Sequence, residues 1–200
     1  MPSGRPLARS LPVLVLALLI ACEAPAPEPS QPPQNNFQLT ATVEDLMRSL
    51  VDPAADAIWD AVVITSTPAG LDERRPETED DWVSLERSAI VLIESGNLLR
   101  MDDRPIAAAG SVSELPGVDL EPDDIAARVA ANPNAWARSA RELHDAGVVM
   151  LEAVRARDVD ALLTGGNRLQ IACENCHSRF WYPDDPTIKV TPSTSESPSR

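Results

Sequence analysis

The chain predicts an all-α fold, an antiparallel four-helix bundle over residues 41–185, from three observations. Apolar residues recur at helical spacing in four long stretches, few segments alternate with period two, and Ala and Leu dominate the composition. Helices that are apolar along one stripe must bury that stripe against one another, and a bundle is the simplest way to do so. The first stretch opens at Thr42, an N-cap with Asp45 three residues on, and carries Val43, Met47, Leu50, Ala54, Ile58 and Ala61. Pro53 interrupts it and either starts a new helical segment or kinks the first, because proline has no N–H to donate. The second helix runs from Thr78 to about Met101. Glu79, Asp80 and Asp81 suit the positive end of its dipole, and Trp82, Leu85, Ala89, Leu92 and Leu99 form its stripe, with Ile93 beside it.

Pro105, Gly110, Pro116 and Gly117 make residues 102–121 a long loop. Pro122 and Asp123-Asp124 begin a short helix to about Ala131. A third long helix opens near Asn134 with Trp136, Ala140, Leu143, Gly147, Met150 and Val154 in register. Asp158 caps the fourth, whose face holds Leu162, Gly166, Leu169, Cys173 and Cys176 and which ends before Pro183. Gly165-Gly166 weakens this helix by about 1 kcal/mol per residue, so a close neighbour there is expected in compensation.

The two ends read differently. Arg5 and Arg9 precede an apolar run, Leu11 to Ile20, too short to span a membrane and flanked like an export signal. The run ends in Leu19-Ile20-Ala21-Cys22, which resembles the lipobox of bacterial lipoproteins; the alternative is an ordinary cleaved signal with a free Cys22. The resemblance implies a signal over 1–21, lipidation at Cys22, and a lipid-anchored protein on the periplasmic side. Glu23 resembles the residue found in lipoproteins sent to the outer membrane. Residues 22–40 form a Pro-rich spacer, and 186–200, rich in Ser, Thr and Pro, read as a disordered tail. Loss of residues 1–21 leaves 15 basic against 31 acidic residues, a net charge of −16. That balance argues against nucleic acid and anionic lipid surfaces as partners. It suits either steering toward a basic patch on a partner or plain solubility.

Cys173-Glu174-Asn175-Cys176-His177 carries the chemistry. It is C-x-x-C-H, the attachment signature of c-type haem. On a helix, positions i, i+3 and i+4 share a face, so two thioethers and one imidazole address a single macrocycle. Structural zinc needs four ligands, and the one other cysteine is Cys22. A thioredoxin-type pair expects a strand before it, and no strand pattern precedes this one.

A helical chain with C-x-x-C-H on its last helix resembles the class II c-type cytochromes, the cytochrome c′ and c556 type, across about residues 41–183. Ser178-Arg179-Phe180-Trp181-Tyr182-Pro183 is also similar to the ends of that family. The long loop at 102–121, the extended tail and the lipid anchor depart from its short members. The resemblance implies one haem c per chain, tethered by Cys173 and Cys176 and bound at iron by His177. It implies electron transfer with periplasmic redox proteins and no catalysis of its own, Met47 as second axial ligand as in the c556 type, and Arg179 as a possible haem propionate contact. A homodimer is a further possibility, since cytochrome c′ proteins often form one. Met47 also lies on the apolar stripe and would serve as core packing. In that case the iron is five-coordinate behind an apolar pocket, and the alternative function is binding of NO or CO. His144, the one other histidine, lies at the edge of its stripe and reads as a rim residue; no distal His–Arg pair for peroxidase chemistry is visible. Met101 and Met150 read as helix-end and core residues, and Trp59, Trp82 and Trp136 as core or haem-wall packing.

Overall fold

A computed structural model describes residues 37–182. The export signal, Cys22, the spacer up to Asn36 and the tail lie outside the described residues. The fold is mostly helical: α1 (Val43–Leu46), a π-helical turn (Met47–Val51), α2 (Asp52–Trp59), strands β1 (Val63–Thr67) and β2 (Gly70–Arg74), then α3 (Glu79–Leu98), α4 (Pro122–Ala131), α5 (Pro133–Ala156) and α6 (Val159–Phe180). The caps fall where side-chain chemistry puts them. Thr42 and Asp45 close a reciprocal box at α1, and Thr78 and Asp81 close another at α3. The Asp158 side chain accepts from Ala161 N at 3.0 Å. Both box carboxylates are fully exposed, and the hydrogen bonds from Thr42 and from Thr78 hold Asp45 and Asp81 below the ordinary carboxylate range.

Helix α3 packs on α5, α5 on α6, and α2 on both α3 and α6. The predicted stripes of α3 and α5 are buried throughout: Trp82, Leu85, Ala89, Leu92 and Leu99 on one, Trp136, Ala140, Leu143, Met150 and Val154 on the other. The first stripe is shifted. Leu46 and Val51 are buried where periodicity pointed to Met47 and Leu50, which are half-buried. The cause is the π-helical turn. A proline at position 53 has no N–H, and its ring would press on the carbonyl four residues back. Widening the preceding turn to five residues, with Asp52 N–H donating to Met47 O, relieves both problems and rotates the stripe. Pro53 then falls in the first turn of α2, just after the widened turn.

One element departs from the helical expectation. Val63–Thr67 pairs antiparallel with Gly70–Arg74, Val63 opposite Arg74 and Thr67 opposite Gly70. The β-branched run Val62-Val63-Ile64-Thr65 favours strand, and Gly70, at φ +130°, makes the tight reversal after Pro68-Ala69. The hairpin is almost wholly exposed, so burial imposes no alternation on it.

The α3–α5 contact depends on two glycines. A Cβ on Gly96 would lie 2.8 Å from Ala140 O, and one on Gly147 would lie 3.0 Å from the Ile93 N. Backbone atoms of a packed helix cannot step aside singly. Gly96→Ala and Gly147→Ala should each cost about 1–3 kcal/mol through overpacking, partly offset by the gain of about 1 kcal/mol that alanine brings to a helix. Gly166→Ala is the contrast: its Cβ would meet Trp59 Cδ1 at an ordinary 3.5 Å. Urea unfolding should show a loss for the first two and none for the third.

The loop 102–121 ties the ends of the fold together. Pro105 O and Ile106 O accept from Val43 N and Glu44 N at 2.8 and 2.9 Å, satisfying the first donors of α1. Arg104 donates to Leu98 O at 3.0 Å and also to Ala41 O. At the other end Leu120 N donates to Trp181 O at 2.9 Å. No helix among the described residues is long and apolar enough to cross a membrane.

Candidate cofactor site

Cys173, Cys176 and His177 lie on α6, so the i, i+3, i+4 spacing does put them on one helical face. All three line a cavity of about 290 Å³ between α2, α5 and α6, and Met47 lines the same cavity. Its walls include Val51, Ala55, Trp59, Leu99, Trp136, Ala140 and Leu143, and its polar groups include Asp52, Ser139, Gln170 and Glu174. The structure thus brings together a thioether, two thiols and an imidazole from positions more than a hundred residues apart in the chain.

Each wall is fixed in place. Trp136 Nε1 donates to Leu99 O at 2.7 Å, and its ring meets Phe180 edge to face at 5.3 Å. Trp59 Nε1 donates to Gly166 O at 3.1 Å, which explains the Gly165-Gly166 pair: Gly166 lies against Trp59, and a side chain on Gly165 would strike Met150 Sδ. Glu174 is held between Gln170 Nε2 at 2.9 Å and the Tyr182 hydroxyl at 3.0 Å. The Tyr182 ring stands 5.8 Å from the His177 ring.

The electrostatics follow from burial. Desolvation pushes the Cys173 thiol up to about 11 and the Cys176 thiol up to about 12. Both cysteines are free, and they sit near the C-terminal end of α6. An exchange-active pair needs a lowered thiol pKa and usually a helix N-terminus to supply it; this pair has neither. Burial also raises Asp52 and lowers His177, despite the carboxylates of Glu174, Asp52 and Asp119. A neutral imidazole is the form that ligates a metal. Among the described residues no group of three His, Cys, Asp or Glu side chains is placed to hold a bare metal ion.

The lowered His177 value has a consequence for the apoprotein. Below pH 6.5 the unfolded chain gains a proton that the folded chain resists, so folding stability should fall as pH drops through 6.5 toward the lowered folded value. Unfolding free energies measured between pH 7.5 and 5 should fall, and His177→Phe should flatten that slope.

Arg179, His144, Met101 and Met150 are not among the residues that line the cavity, although the Arg179 charge acts on the Cys176 thiol. Arg179 is exposed. His144 is half-buried where α5 faces Gly96, with its Nδ1 2.9 Å from Asp145 Oδ1. Met150 is fully buried in the core, and Met101 Sδ contacts Arg104. Sequence reasoning missed Asp52 and Ser139. Asp52 precedes a proline that looked like a simple interruption, and Ser139 is a lone hydroxyl beside an apolar stripe.

No protein-family model, no curated protein and no solved structure matches this chain, so its assignment rests on these residues and their arrangement.

Proposed function

We propose that this chain is a lipid-anchored, periplasmic c-type cytochrome that carries electrons. In this reading the helices form the antiparallel four-helix bundle of the class II type, with one haem tethered to α6. The observation that supports it best is the meeting of Met47, Cys173, Cys176 and His177 around one apolar-walled cavity. That donor set fits a covalently held haem: two thiols for attachment, one imidazole, one thioether, and walls of Trp, Leu, Ala and Val for the macrocycle. The bound group supplies reversible one-electron chemistry, and a His/Met pair biases it toward a high potential.

The chain's own part is positioning. Cys173 and Cys176 supply the tethers, protonated until they react. His177 is presented as neutral imidazole, and Met47 is presented by the turn that Pro53 widens. Trp59 and Trp136 wall the cavity, each fixed by a hydrogen bond to a backbone carbonyl. Cys22 would anchor the protein, and the Pro-rich spacer would hold the domain away from the membrane.

The test is the optical spectrum of the purified holoprotein, oxidised and reduced, before and after CO. A low-spin spectrum with a weak sulfur-to-iron band in the oxidised form and slow CO binding supports the electron carrier. A high-spin spectrum that shifts promptly with CO overturns His/Met ligation and makes NO or CO binding the function. A protein purified from an export-competent cell without covalent haem overturns both.

A further inference from the structure

The loop 102–121 presents three large apolar side chains to water: Val112 is 73 % exposed, Leu115 58 % and Val118 56 %. Isolated surface apolar residues need no explanation, but a group of them marks an interaction surface. These three sit on a fixed backing. Ser113 between them is buried, its N–H donates to Glu121 Oε2 at 3.0 Å, and its hydroxyl accepts from Leu115 N at 3.2 Å. Glu114 pairs with Arg48, the neighbour of Met47. The loop encloses a second cavity, of about 340 Å³, whose lining also includes Met47, His177, Trp181 and Tyr182. The patch therefore overlies the side of the fold from which both candidate axial residues are approached.

Charge says what would cover it. From Pro105 to Ala127 the chain has five carboxylates, Glu114, Asp119, Glu121, Asp123 and Asp124, and no basic residue. A second copy would oppose like charges across the contact, which costs several kcal/mol. The chain beyond Tyr182 carries three acidic and two basic residues and offers no complement either.

We propose that this loop is the docking surface for a positively charged redox protein, with Val112, Leu115 and Val118 at its centre and the carboxylates steering the encounter. The inference rests on the electron-carrier reading. The step it serves is simple: one electron leaves the reduced protein and reduces the oxidised partner, with no bond made or broken.

The experiment is stopped-flow oxidation of the reduced holoprotein by two acceptors, a small basic c-type cytochrome and a small inorganic complex. The triple variant Val112→Ser, Leu115→Ser, Val118→Ser should lower the rate with the basic protein by about tenfold and leave the inorganic rate unchanged. Asp119→Asn with Asp123→Asn should weaken the salt dependence of the protein reaction alone. Unchanged protein rates in both variants would overturn the docking surface while leaving electron transfer standing. A holoprotein that neither acceptor oxidises would overturn the electron-carrier reading and this surface with it. Self-association of the wild type that the triple variant abolishes, seen by sedimentation, would assign the patch to a second copy instead.

Discussion

Met47→Ala in the holoprotein should convert a low-spin, six-coordinate spectrum into a five-coordinate or water-bound one. It should also lower the reduction potential and make CO binding fast. In the His/Met reading the thioether is the soft ligand that raises the potential, and neither other methionine among the described residues is placed to replace it: Met150 is sealed in the core and Met101 contacts Arg104 outside the cavity lining. The stability cost should be small beside the spectral change. Met47 is half-buried, so truncation should cost about 2 kcal/mol, the low end for a large-to-small change. Met150→Ala is the mirror image: a loss of about 2–5 kcal/mol with the spectrum intact. A Met47→Ala protein that keeps the wild-type low-spin spectrum would sink the axial assignment.

Cys173→Ala combined with Cys176→Ala should abolish covalent haem, read as loss of haem staining after denaturing electrophoresis. Either single variant should keep one thioether and stain weakly. The double variant should also be markedly less stable than the holoprotein. An enclosed void of this size would cost up to about 7 kcal/mol at roughly 24 cal/mol per Å³. Entry of water and inward relaxation of Trp59 and Trp136 reduce that figure. Even about 2 kcal/mol remains a large share of a typical 5–15 kcal/mol, and thermal unfolding should move down by roughly 5 °C or more. Undiminished staining in the double variant would overturn the attachment residues.

Much of this was legible in the chain. Thr42, Thr78 and Asp158 marked helix starts because their side chains bond the orphan donors of a first turn. The stripes of α3 and α5 were readable because each buries one continuous face. The hairpin at 63–74 was not, because an exposed pair of strands leaves no alternation for periodicity to find. The π-helical turn was half visible: Pro53 announced a disturbance, but not that the helix would widen and continue. The convergence of Met47 on the C-x-x-C-H helix depends on how α2 packs against α6, a long-range matter on which local pattern is silent. Asp52 and Ser139 went unmarked for the same reason. The Arg104 and Glu114 ties of the long loop join residues some sixty positions apart and leave no trace in local sequence.

The five-residue turn at Met47–Val51 also sets a length register. A widened turn is one residue more than an α-helix needs at that point. Deleting any one of Arg48, Ser49 or Leu50 would restore ordinary winding with Met47 still one turn before Asp52, because the bond from Asp52 N–H to Met47 O then becomes the i→i−4 bond of an α-helix. Met47 would keep its place at the cavity, and Val43 and Leu46 theirs in the core; the cost would fall on Pro53, whose ring would again press on the carbonyl four residues back. On this account the extra residue is an insertion that the helix has absorbed in place, so a one-residue change of length here leaves the thioether where it is relative to α2.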